Sequence, residues 1–199
     1  MKKFLLCCFL IQTGLLMYAQ DTRPKPPAIE NYFVGGSISF GLGGYNHEFV
    51  AGVHPHFGYI LAKWIDVALA LNFEYSSASD AYYNKYHTTT YGLGAFTRIY
   101  PVHFLFIQAE PEYNFIALKY IPDQGDVQRL KVEAPSLLLG AGFVTEREDK
   151  NTFSYISVLL DVLKDPNSPY IDVNGSFIPV IRAGLNIGLR QKRKKKKIL

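Results

Sequence analysis

The chain has 199 residues, enough for one domain with a sizeable core. Charged residues make up 19% and aromatics 15%, with 14 Tyr and 14 Phe, so charge lies below the roughly one quarter usual in soluble domains. Both cysteines, Cys7 and Cys8, fall in the first twenty residues, so loss of that segment would leave no disulfide framework.

The net charge of +4 hides an asymmetry. Lys2 and Lys3 open the chain and seven basic residues crowd 190–197, which leaves twelve basic against 17 acidic groups between Asp21 and Leu189, a net −5. Basic character is therefore a property of the tail.

Residues 1–19 have the build of a secretory signal: Lys2 and Lys3, an apolar run, and the small Ala19 near the expected cleavage point. The run is interrupted by Gln12, Thr13 and Gly14 and is short for a membrane helix of about 20 residues. Leu6 rather than a small residue precedes Cys7, which argues against lipid attachment. Residues 20–31 form a Pro-rich, extended lead-in.

From Tyr32 onward the chain alternates greasy and small or polar residues with period two, the mark of strands. In Tyr32–Gly43, Val34, Ile38 and Phe40 oppose Gly35, Ser37 and Ser39. In Phe49–Leu61, Val53, Phe57, Tyr59 and Leu61 oppose His54, His56 and Gly58. A short turn leads to Asp66–Tyr75, where Val67, Leu69, Leu71, Phe73 and Tyr75 oppose Ala68, Ala70, Asn72 and Glu74. A Tyr-rich polar loop is expected over Ser76–Thr89. Thr90–Tyr100 sets Tyr91, Leu93 and Ile99 against Gly92, Gly94, Phe96 and Arg98. After a tight turn, Phe104–Leu118 sets Leu105, Ile107, Tyr113 and Phe115 against Phe106, Gln108, Glu110, Glu112 and Asn114. A second long connection, Lys119–Lys131, precedes Val132–Thr145, with Leu137, Leu139 and Phe143 against Ser136, Leu138, Gly140 and Gly142. Thr152–Leu163 follows a charged turn and places Ile156, Val158 and Leu160 opposite Tyr155, Ser157, Leu159 and Asp161. The third long connection, Lys164–Ser176, leads to Phe177–Leu189, where Ile181, Leu185 and Ile187 oppose Arg182, Gly184 and Asn186.

Eight strands whose connections alternate short and long predict an all-β, antiparallel, up-and-down transmembrane β-barrel spanning 32–189, with a basic periplasmic tail over 190–199. Pro55, Pro111, Pro135 and Pro179 count against it, since a central strand cannot spare the N–H. A soluble barrel would alternate as well, with its apolar face inward. Its water-facing side would then be rich in Lys and Glu, whereas here the face opposite the greasy one is mostly Gly, Ser, Asn and Ala, with a few charges of mixed sign. That composition suits a narrow packed lumen and a lipid-facing exterior. Trp64 in a turn, with Tyr59 nearby, fits an interfacial aromatic anchor.

The stretches HPHFGYILAKWIDVALALNFEY, YGLGAFTRIYP and DVLKDPNSPY with PVIRAGLNIGL resemble the small outer-membrane β-barrel proteins of Bacteroidota. These are the PorT-like or outer membrane protein β-barrel family, similar in architecture to OmpX and OmpA. The resemblance covers most of the chain after the signal and rests on pattern. It implies an outer-membrane location, contact with outer-membrane lipid, insertion by the barrel assembly machinery, and for some relatives a role in secretion. Such barrels commonly end on an aromatic residue, whereas the last strand here ends at Leu189.

Candidate functional residues follow from the faces. Glu74, Arg98, Glu110, Glu112, Asp161 and Arg182 would point inward, where a buried ion-pair network, or a solute path, is expected. His54 and His56 share a face about 7 Å apart. A metal would need a third ligand such as His47 or Glu48, and polar lumen residues are the preferred reading. The pairs Gly41/Gly43, Gly92/Gly94 and Gly140/Gly142 open no helix, so they save space and bind no phosphate. Tyr82, Tyr83 and Tyr86 could give a long loop a surface for an extracellular or secretion partner. No catalytic grouping, cofactor motif or nucleic-acid partner is expected. The leading function is a non-enzymatic outer-membrane barrel in a structural, adhesion, assembly or secretion-associated role. The alternatives are a lipid-acting barrel enzyme or hydrophobic-ligand carrier, and a narrow porin-like channel.

Overall fold

The computed structural model describes residues 31–43, 48–79, 84–145, 147, 152–171 and 175–189. The expected signal, nearly all of the lead-in, the basic tail, Tyr82 and Tyr83 lie outside the described residues.

Eight antiparallel strands follow one another: β1 (Tyr32–Gly43), β2 (Glu48–Ala62), β3 (Ile65–Ser79), β4 (Lys85–Val102), β5 (Leu105–Ile121), β6 (Gln128–Val144), β7 (Thr152–Asp161) and β8 (Val180–Gly188). Each pairs with its neighbour in sequence, and β1 pairs with β8 from Phe33↔Gly188 to Ser39↔Arg182, closing the barrel. Closure leaves one inner and one outer face, so strict alternation now decides what is buried.

The alternation read from the sequence holds in all eight strands. Leu69 is 62% exposed, Ile107 57% and Phe143 58%, while Arg98 is 2% exposed and Glu110 and Asp161 0%. The apolar residues that do turn inward pack as small clusters, such as Tyr100, Phe106, Val144, Phe153 and Tyr155, or Phe33, Ala68, Ala70 and Phe96. Glycine provides the room for them. A Cβ on Gly58 would run into the Phe33 ring, and one on Gly184 would sit 2.6 Å from Tyr155.

Two expected loops are largely strand. β3 and β4 stay paired as far as Ser79↔Lys85, and β5 and β6 as far as Tyr120↔Gln128. Ser76–Thr89 and Lys119–Lys131 therefore shrink to connections at 80–84 and 122–127. Polarity suggests a loop, but Tyr86, Thr88 and Thr89 are good strand formers that find cross-strand partners, and His87 pairs with Ser77. Only the β7–β8 connection, 162–179, is long. The β2–β3, β4–β5 and β6–β7 turns share one end with both termini of the barrel, and the other connections share the opposite, loop end.

The prolines find places that tolerate them. The β2–β3 ladder lapses between His56↔Ala70 and Val53↔Phe73, around Pro55. The β4–β5 ladder lapses between Gly94↔Glu112 and Thr97↔Ala109, around Pro111. Pro135 shares the sidedness of Leu137, whose backbone bonds toward β7. β7 pairs β6 only from Leu138 onward, so Pro135 meets an open edge and forfeits no ladder bond. Pro179 immediately precedes β8.

Candidate functional site: a filled polar lumen

Inward positions of all eight strands build one polar column that runs from the turn end to the loop end. At its base Asp66, the first inward residue of β3, forms an ion pair with Arg147 from the β6–β7 connection. Tyr100 donates to Asp66 at 2.8 Å, and the Arg147 guanidinium lies 4.0 Å over the Tyr100 ring. Arg147 also donates to the Lys63 carbonyl in the β2–β3 turn. It thereby ties two separate turns to one buried carboxylate.

Above this base sits Arg98, with its guanidinium 4.4 Å from the Phe96 ring centre, 4.8 Å from Phe106 and 3.9 Å from Tyr155. Its Nε donates to Gln108 at 2.7 Å, and Gln108 donates on to Glu110 at 2.6 Å. Arg98 was expected to face the carboxylates directly. Instead aromatic rings and an amide surround it, and it reaches Glu110 only through Gln108. The planar, weakly hydrated guanidinium suits such a cage, where the ring faces carry partial negative charge.

The centre of the column is Arg182, held between two carboxylates that point in from β5. Its Nη1 donates to Glu110 at 2.9 Å and its Nη2 to Glu112 at 2.9 Å. Glu112 accepts further bonds from Asn114 at 3.2 Å and Tyr170 at 3.0 Å. The two glutamates share a face because they are two residues apart on one strand, and Gly94 opposite leaves space for them. Buried charge is tolerable in this form because ion pairing and hydrogen bonds act together.

The histidines line a neighbouring wall. His54 bonds Ser39 at 3.0 Å and Asn72 at 3.1 Å, and His56 bonds Asn186 at 2.6 Å. Ser39 in turn donates to Glu74 at 3.4 Å. Both nitrogens of each ring are hydrogen-bonded, His56 through its second bond to the His54 carbonyl. No group of three potential metal-ligating side chains occurs among the described residues. His47 and the Glu48 side chain lie outside the described residues.

At the loop end the long β7–β8 connection folds back into the barrel mouth. Asp161 accepts the backbone N–H of Leu137 at 2.9 Å and of Leu163 at 3.1 Å, together with the Ser168 hydroxyl at 2.6 Å. Ser168 also bonds Ser136 at 3.1 Å, and Tyr170 reaches down to Glu112. Ser168 and Tyr170 are buried, with Tyr170 packed against Leu138, Leu159 and Val180. Asp161 thus anchors a strap rather than joining the arginine network. Sequence reading missed Ser168, Tyr170, Asp66 and Arg147. Parity with Ala68 and Ala70 marks Asp66 as inward, but nothing local marks a loop side chain that turns into a lumen.

The expected interface anchors sit near the turn end. Trp64 is 57% exposed in the β2–β3 turn, and Tyr59 packs 4.8 Å from Tyr32. Tyr86, expected in a binding loop, belongs to β4, where it pairs with Ala78 and Tyr120 and its ring lies 5.1 Å from that of Tyr120. The cause is the strand extension described above.

No protein-family model matches the chain, and comparison with curated proteins gives no match. Among solved structures, the attachment invasion locus protein Ail of Yersinia pestis, crystallised with the heparin analogue sucrose octasulfate, is 11% identical with a TM-score of 0.47. That likeness covers 79% of this chain and 95% of Ail.

Proposed function

We propose that the protein is an integral outer-membrane β-barrel, non-enzymatic, that presents its loop end outside the cell. The observation that carries this reading is the inverted burial. Leucine, isoleucine and phenylalanine cover the outside, while arginine, glutamate, aspartate and asparagine fill the inside. In water such an exterior would be an aggregation surface, and in a bilayer it is the required one. Closure of the sheet gives each of the eight strands a neighbour on both sides, the arrangement by which strands cross hydrocarbon.

The residue 1–19 segment supports export, with cleavage near Ala19. The short turns and both ends of the barrel then belong on the periplasmic side, together with the 190–199 tail. Trp64 and Tyr59 serve as anchors at that interface. The pattern shared with PorT-like barrels supports placing the chain among small Bacteroidota outer-membrane proteins. Its role is structural, adhesive or secretion-associated, exercised through the extended β3–β6 sheet and the β7–β8 connection. The filled lumen, with Arg182 fixed between Glu110 and Glu112, favours a sealed barrel over a conducting one.

The test is fractionation of cells expressing the full chain, with gel migration compared before and after heating. Recovery in the outer membrane and a heat-modifiable band are expected. A mature chain that stays monodisperse in buffer without detergent would overturn the reading.

A further inference from the structure

Toward the loop end, β4, β5 and β6 run on beyond the level at which β7 stops pairing. Residues directly opposite in these strands share a face. His87 pairs with Lys119, and Lys119 pairs with Arg129. One row nearer the barrel, Thr89, Ala117 and Lys131 align, and one row further out Lys85 faces Ile121. Two rows below His87, the same face carries Tyr91 and Phe115, stacked 5.4 Å apart and exposed outward. Lys85, Lys119, Arg129 and Lys131 therefore stand on the outer wall of the barrel, directly above its aromatic band.

Their height is informative. Twelve residues of β4 separate Ile99, near the turn end, from His87. At about 3.4 Å per residue and a strand tilt of about 40° this is about 31 Å along the barrel axis. An outer-membrane apolar band is about 25 Å tall. The four cations thus fall just past hydrocarbon, at headgroup depth. Rows about 7 Å apart and strands about 4.8 Å apart put all four within one patch of a few headgroups.

Among the described residues the patch also lacks counter-charges. All four side chains are exposed, and among the described residues none has an ion pair or hydrogen bond. Among the described residues of that face, the acid Glu133 accepts the Tyr113 hydroxyl at 2.6 Å. Asp123 and Asp126 lie beyond, in the β5–β6 connection.

We propose that Lys85, Lys119, Arg129 and Lys131 form an outward-facing site for phosphorylated lipid headgroups of the leaflet around the loop end. The site rests on the membrane reading above. Acyl chains would lie along the belt below, against Tyr91, Phe115 and Tyr113, while the phosphates meet the cations. A basic cluster beside an apolar belt is how proteins hold anionic lipid, and each Lys or Arg contributes about fivefold in affinity. Arg129 adds a planar fork suited to a phosphate.

The test uses the mature full chain in nonionic detergent, with bound lipid read by native mass spectrometry. Diphosphorylated lipid A, its dephosphorylated form, and inorganic phosphate are each titrated. The variant Lys85→Gln/Lys119→Gln/Arg129→Gln/Lys131→Gln is compared with Lys194→Gln/Lys195→Gln/Lys196→Gln/Lys197→Gln in the tail. Adducts of the diphosphorylated lipid should form on the parent and the tail variant, and fall at least tenfold on the rim variant. The dephosphorylated lipid and inorganic phosphate should bind at least tenfold more weakly to the parent. Equal adducts on the rim variant, loss on the tail variant instead, or equal binding of inorganic phosphate would each overturn the proposal. So would heparin retention that depends on the rim cations without lipid adducts, which would reassign the row to a sulfated polysaccharide. A rim variant that keeps the heat-modifiable band but also keeps the lipid refutes only the headgroup site. A parent chain soluble without detergent refutes the membrane reading itself.

Discussion

Replacing Arg182 by methionine isolates the centre of the lumen. Methionine keeps an unbranched apolar stem and omits the guanidinium, so two charge-assisted hydrogen bonds of 2.9 Å, to Glu110 and Glu112, disappear. Two neighbouring carboxylates are then left without their cation at positions that are 0% and 5% exposed. Removing one partner of a buried pair typically destabilises by about 3–5 kcal/mol. Arg182→Met should therefore lose about 3–5 kcal/mol at pH 7. The triple variant Arg182→Met/Glu110→Gln/Glu112→Gln removes the stranded charges and should regain most of the loss. Urea unfolding in detergent micelles, followed by Trp64 fluorescence and by the heat-modifiable band, reads all of this. A loss under about 1 kcal/mol at pH 7, or a triple variant no more stable than Arg182→Met, would refute a desolvated ion-pair core.

Three further outcomes follow from the same column. Gly58→Val should destabilise by about 1–3 kcal/mol, because its side chain meets the Phe33 ring; Phe33→Ala should cost less in that background than in the parent, and additive losses in a double-mutant cycle would contradict the contact. Arg98→Lys keeps the charge but gives up the Nε bond to Gln108 and the flat stacking on three rings, so a loss of about 2 kcal/mol is expected by the same unfolding measurement. Ser168→Ala/Tyr170→Phe cuts the strap from Asp161, Ser136 and Glu112. Limited proteolysis should then cleave within 162–179 at least several-fold faster with the barrel band intact, and an unchanged rate would show that the strap is held by packing alone.

The fold was legible because a barrel is a period-two object. Once Val67, Leu69 and Leu71 are seen to oppose Ala68, Ala70 and Asn72, the two faces of β3 are fixed, and the same rule assigned every other strand. The scarcity of Lys on the small-residue face, with Gly92, Gly94, Gly140 and Gly142 among it, pointed to a filled interior. Strand ends were less legible. The polar residues of 76–79 and 85–89 read as a loop because both of their faces are polar, so the alternation signal fades while pairing continues. Pairing partners across the lumen were beyond reach, since they depend on register and shear rather than on local pattern.

The sequence by itself determined which side chains face in, because alternation is set by backbone geometry and needs no partner. It placed Glu110, Glu112 and Arg182 in one interior, and His54 and His56 on one wall. Only the tertiary structure decided who meets whom. Register brought Arg182 of β8 to the two glutamates of β5, seventy and more residues away, and sent Arg98 to a cage of rings. It also folded Tyr170 back into the mouth and aligned Lys85, Lys119, Arg129 and Lys131 on the outer wall. These contacts join residues distant in the chain, and a closed ring of eight strands fixes them all at once.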